Sequence, residues 1–127
     1  MQNLISSKIE NEIKKDKEII AVLLFGSYIK GENYRDIDIC IVLDKKYSKL
    51  EMSKKRLKYA SLFPSKFDVQ IFQQLPLYIR KRILKEHQVL LCKNEDALYD
   101  VALAAVKEFE FYKKIYYNYL ESMQHDR

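Results

Sequence analysis

The stretch "LLFGSYIKGENYRDIDICIV", residues 23–42, decides how the rest of the chain is read. Its left flank closes the continuous apolar run "IIAVLLF" (19–25), which ends in Gly-Ser and predicts a buried strand followed by a turn. Its right flank, "DIDICIVL" (36–43), alternates and then becomes wholly apolar, a second strand entering the core. Side chains two apart on a strand leave the same face, so Asp36 and Asp38 are expected side by side, with Ile37 and Ile39 serving the other face. Two carboxylates that close repel, and one takes up a proton unless a cation lies between them. Packing alone gives no reason for such a pair.

Working outward, Ile5, Ile9 and Ile13 stand four apart in "NLISSKIENEIKKDKE" and predict an amphipathic helix. Leu50, Leu57, Ala60 and Ser61 recur at helical spacing over 48–62, ahead of Pro64. "KFDVQIF" (66–72) alternates as a strand, with Phe67, Val69 and Ile71 on one side and Asp68, Gln70 and Phe72 on the other. Pro76 suits the first turn of a helix through about His87. "QVLLC" (88–92) predicts a last strand. A long helix follows over about 95–122, with Asn94 and Asp96 as cap candidates and no internal Gly or Pro. The expected fold is α/β (α+β): a single mixed sheet of about four strands with helices packed mainly on one face. We expect one domain over 1–127, its core at about 19–92.

If "KFDVQIF" lies beside "DIDICIV", Asp68 brings a third carboxylate to the same face. Three aspartates on neighbouring strands supply hard oxygen ligands that suit Mg²⁺ or Mn²⁺, and such a set can hold two ions about 3.5–4 Å apart for displacement at phosphorus. Gly26 lets backbone approach a phosphate closely, and Ser27 offers a hydroxyl and an amide at an expected helix start. Gly31 adds a second unhindered bend, and Lys30 and Arg35 are placed to neutralise a leaving pyrophosphate.

The remaining composition narrows the field. A net charge of +5 includes a basic run from Lys45 to Lys58, read mainly as a solvated helix face, so nucleic acid is not expected as the main partner. Cys40 and Cys92 lie in apolar runs and read as buried free thiols. His87 and His125 are far apart with no partners at ligand spacing. No signal peptide or membrane-length apolar run is visible, so the cytoplasm is the default expectation. Tyr28 and Tyr34 flank the Gly-Ser loop and are candidates to stack on a base or to pack. The last helix carries Phe109, Phe111, Tyr112, Tyr116, Tyr117 and Tyr119 on more than one face, more than a core requires and of the kind enriched in interfaces.

Taken together, "FGSYIKGENYRDIDI" resembles the signature of the DNA polymerase β-like nucleotidyltransferases, and within them the minimal nucleotidyltransferases. By that resemblance Gly26 and Ser27 match the phosphate-binding turn. Asp36 and Asp38 match the metal ligands, and Asp68 matches the third carboxylate. The eight residues "YIKGENYR" make a shorter loop than usual, and Arg35 stands where a serine is common. The resemblance implies Mg²⁺-dependent transfer of AMP from ATP to an acceptor oxygen. For a small stand-alone member it implies an antitoxin that modifies a tyrosine of a HEPN-domain ribonuclease toxin. Competing readings are a non-catalytic antitoxin acting sterically and an enzyme acting on a small molecule such as an aminoglycoside. Metal-dependent nucleotide binding separates the first of these from the enzymes.

Overall fold

The computed structural model describes residues 4–32 and 35–125. The helix α1 (Ser7–Lys15) is followed by strands β1 (Ile19–Phe25) and β2 (Ile37–Leu43), helix α2 (Lys49–Ala60) and strand β3 (Phe67–Ile71). A short 3-10 turn (Phe72–Gln74), helix α3 (Leu77–Lys85), strand β4 (Gln88–Cys92) and helix α4 (Glu95–His125) complete the order. The sheet runs β3-β2-β1-β4. β1 is antiparallel to both β2 and β4, and β2 is parallel to β3, so the sheet is mixed as expected.

Local chemistry explains the element ends. Ser6 caps α1, its hydroxyl accepting the Ile9 amide at 3.2 Å, and Ser48 does the same for Glu51 at the start of α2. Of the two cap candidates for α4, Asn94 takes the role, its Oδ1 accepting the Ala97 amide at 3.0 Å. Without Gly or Pro inside it, α4 runs unbroken for 31 residues. Where β3 stops short of β2, the Gln73 amide stands in for a strand residue: its Nε2 donates to Leu43 O at 2.8 Å and its Oε1 accepts Leu43 N at 3.1 Å.

The helices cover both faces of the sheet rather than massing on one. β1 and β2 are apolar on both sides and buried nearly throughout, so each face needs a cover. On one face, Ile9 and Ile13 of α1 and Met52 and Tyr59 of α2 meet Val22, Leu24, Ile39 and Ile41. On the other, Ile83 of α3 and Ala105 of α4 meet Ala21, Leu23, Cys40 and Val42. A register shift between Ile19 and Ala21 lets Ile20 and Ala21 both serve the second face.

Two further expectations are corrected. The inward side of α2 is Met52 and Tyr59, while Leu50 and Leu57 are about two-thirds exposed or more, at 66% and 70%. Cys40 is a buried free thiol, but Cys92 is only half-buried, because β4 lies at the sheet's edge. Among the described residues no helix is long and apolar enough to cross a membrane.

Candidate active site

The site forms where β1 ends and β2 and β3 begin. In the β1–β2 ladder Phe25 is opposite Asp38, and in the β2–β3 ladder Asp38 is opposite Asp68. Parallel partners in register share a face. Asp38 and Asp68 therefore stand together on the side that α3 and α4 cover, in line with Cys40 and Val42. Asp36 falls one residue short of the strand, in an exposed bend, and reaches Asp38 through its charge rather than through the ladder. Among the described residues no three acidic, histidine or cysteine side chains already converge as a ligand set.

Asp38 is the electrostatic centre. Burial first, then the charges of Asp68 and Asp36, hold its carboxyl above the usual aspartate range, and a hydrogen bond shared with Asp68 acts the same way. No cation is among the groups acting on it. Asp68 is better supported: Gln70 Nε2 donates to its Oδ1 at 3.0 Å, and Arg56 Nη2 lies 4.0 Å away. Arg56 is fixed in turn by donating from Nε to Val69 O at 3.0 Å, so one α2 side chain holds both the edge strand and its carboxylate.

Gly26 closes the site from β1. Its φ is +83°, a conformation that L side chains rarely adopt, and a Cβ built on it would overlap Asp38 Oδ2. Glycine is required here twice, by backbone and by space. The expected helix at Ser27 does not form. Residues 27–32 close as a turn, with the Lys30 and Glu32 amides both donating to Ser27 O at 3.2 Å. Gly31, at φ +70°, ends it before a helical turn can propagate.

A cleft of about 230 Å³ opens over this centre, lined by Phe25, Gly26, Lys30 and Asp38 from the sheet side. Ile79, Arg82, Ile83 and Glu86 of α3 and its end line the other wall. Lys30 bridges the walls through an ion pair with Glu86 at 3.6 Å. Ser27 sits beside this lining, Asp68 on the next strand, and Arg35 is exposed in the bend before β2. Tyr28 packs against the core on the opposite face of the sheet, away from the cleft, and Tyr34 lies outside the described residues.

The α3 wall is what sequence reasoning missed. Ile79, Arg82, Ile83 and Glu86 follow helical spacing, so a stripe that begins apolar carries two charges on its core-facing side. That mixture was the available signal. The donor set as a whole fits a small divalent cation: hard carboxylate oxygens, like-charged, short of counter-charge at Asp38, with bare backbone where Gly26 meets it.

The model of the family described as "Polymerase beta, Nucleotidyltransferase" matches residues 7–96. A Methanocaldococcus jannaschii protein with the provisional name of protein adenylyltransferase is 39% identical over 75 residues, 58% of this chain. The match spans little more than half of that relative, 56%. Among solved structures, a toxin–antitoxin with AMP-PNP superposes at a TM-score of 0.63 and 16% identity, over 94% of this chain and 99% of that one. A mutant of the toxin–antitoxin MntA-HpeT gives 0.66 at 14% identity, over 98% of each chain. The tri-AMPylated Shewanella oneidensis HEPN toxin in complex with MNT antitoxin gives 0.61 at 18% identity, over 98% of this chain and 99% of that one. At these identities the structural likeness is one of fold.

Proposed function

The chain belongs to the polymerase β nucleotidyltransferase family, and from that premise we propose that it is a Mg²⁺-dependent protein adenylyltransferase. In this reading it moves AMP from ATP to a tyrosine hydroxyl of a HEPN-domain toxin and so acts as the antitoxin. The observation that carries the reading is the Asp38 carboxyl, crowded by Asp68 and Asp36, set under Gly26 in a cleft that also holds Lys30 and Arg82. The named relative and the toxin–antitoxin neighbours support the choice of a protein acceptor.

Asp36, Asp38 and Asp68 are the residues that would hold the metal, as two Mg²⁺ ions or Mn²⁺ in their place. When bound, the cation offsets their mutual repulsion, neutralises phosphate oxygens and makes the acceptor hydroxyl more acidic. The chain does the rest. The backbone at Gly26 and Ser27 approaches the triphosphate closely, and Lys30 and Arg82 supply positive charge for the departing pyrophosphate. The acceptor oxygen forms a bond to the α-phosphorus as the bond to the bridging oxygen of the β-phosphate breaks. Asp68, held by Gln70 and Arg56, takes the hydroxyl proton.

The test is intact-mass spectrometry of the co-purified partner after incubation with Mg²⁺ and ATP, beside the Asp36→Ala/Asp38→Ala variant. The reading predicts an added AMP whose rate falls by about 10²–10³-fold or more in the variant, the scale set by removing a preorganised charge-stabilising group. A stable complex with no mass change would replace it with a steric antitoxin. Equal transfer by the variant would remove the aspartates from the chemistry.

A further inference from the structure

The core-facing stripe of α4 does not stop where the sheet stops. Leu98, Val101 and Ala105 pack against the α3 face of the sheet, and the same helical stripe continues as Phe109, Tyr112 and Tyr116. At 1.5 Å per residue the 31-residue helix is roughly 46 Å long, about twice the span of a seven-residue strand. Its second half therefore extends past the strands that cover the first. There Tyr112, Tyr116 and Tyr119 are each more than half exposed.

This stretch of α4 and the outer side of α3 enclose a groove of about 470 Å³, lined by Leu77, Tyr78, Lys81, Phe109, Tyr112 and Tyr116 among others. The position of the groove is informative. Leu77, Tyr78 and Lys81 line it from one side of α3, while Ile79, Arg82, Ile83 and Glu86 line the nucleotide cleft from the opposite side. One helix, about 10–12 Å across, separates the two. A protein seated in the groove lies next to the site of transfer.

Charge selects the kind of occupant. Lys113 also borders the groove, Lys81 sits 4.0 Å over the Phe109 ring, and neither lysine is in an ion pair among the described residues. Lys85, one turn beyond Lys81, is basic as well, whereas Arg80 is held by Glu108 at 3.5 Å and Arg82 faces the nucleotide cleft. A second copy would set these lysines against their own kind. We propose that the α3–α4 aromatic groove is the docking surface for the protein acceptor, received through an apolar segment flanked by carboxylates. The proposal rests on the protein-adenylyltransferase reading and adds the place of docking.

The test measures the Kd of the HEPN-domain protein from the same genome for the parent, for Tyr112→Ala/Tyr116→Ala and for Lys81→Glu. The melting shift given by Mg²⁺ with AMP-PNP is measured on each chain alongside. The proposal predicts affinity weakened by about 30-fold or more in the tyrosine variant, as for buried aromatic anchors. It also predicts a weaker, less salt-sensitive complex for Lys81→Glu. The nucleotide-dependent melting shift stays that of the parent in both. Unchanged affinity in both variants overturns the docking surface while leaving the activity in place. A parent that shows the nucleotide shift but binds no HEPN-domain protein overturns both the partner and the dock. A parent that sedimentates as a dimer dissociated by the tyrosine substitutions assigns the groove to a second copy instead.

Discussion

Both ends of the sheet carry clustered carboxylates, and they treat them in opposite ways. At the end away from the cleft, Glu18 is bound by Lys55, accepts from Tyr47 at 3.1 Å and has Lys58 nearby. Asp44 accepts from the same Tyr47 hydroxyl at 2.7 Å, and Asp16 has Lys58 at 3.8 Å. Led by the Lys55 hydrogen bond, and against some burial, these partners hold the Glu18 carboxylate below its usual range. At the cleft end, Asp38 is raised by every group acting on it. The same residue chemistry is thus balanced for stability at one end and, at Asp38, left short of a cation at the other. Sites that break the rule of paired buried charge are where function is expected.

The contrast can be broken most sharply at Gly26. Gly26→Ala forces a side chain into the left-handed region and onto Asp38 Oδ2. We expect a loss of about 1–3 kcal/mol in unfolding free energy and a fall in transfer rate of roughly 10²-fold from the displaced carboxylate. Urea melts and single-turnover assays check the two effects separately. At the balanced end, Glu18→Gln removes one partner of Lys55. Because Glu18 is 39% exposed on its side chain, the expected cost is discounted to about 1 kcal/mol, with transfer unchanged. A variant that lost transfer while keeping stability would mean the two ends are not separate in role.

The smallest effect is a difference in sign with pH. For Glu18 the folded value lies below the unfolded one, so its contribution is complete above about pH 4.5 and is lost as pH falls through the lowered value. For Asp38 the folded value lies above the unfolded one. Its contribution is complete below the ordinary aspartate value and is lost as pH rises through the raised one. Metal-free Asp38→Asn is therefore expected to be slightly more stable than the parent at neutral pH, and Glu18→Gln slightly less. Chemical denaturation across pH 4–8 checks both signs, and parallel curves for the two variants would contradict the contrast.

Much of this was legible in residues with strong local signals. The runs 19–25 and 39–43 are apolar enough to mark core strands, and the alternation of 67–71 set Asp68 opposite Phe67, Val69 and Ile71, a face that the β2–β3 register makes the side of Asp38. The facing of α2 was not legible. Its apolar residues are sparse among lysines, and tertiary contacts chose Met52 and Tyr59 over Leu50 and Leu57. Continuous burial of β1 and β2 already implied two covered faces, a consequence the one-face expectation overlooked. The α3 wall was hidden for a different reason. Arg82 and Glu86 share a helical stripe with Ile79 and Ile83, but only the placement of α3 across the mouth formed by Gly26 and Asp38 shows what that stripe faces.

The central claim is that Asp38, at the cleft end, is left without a cationic partner in order to hold a metal–nucleotide. The most direct measurement is the melting temperature of the isolated chain with AMP-PNP, with and without Mg²⁺, for the parent and for Asp36→Asn/Asp38→Asn. The account predicts a rise in the parent that requires both Mg²⁺ and nucleotide and is absent from the variant. An equal rise in the variant, or a rise that ignores Mg²⁺, would contradict it.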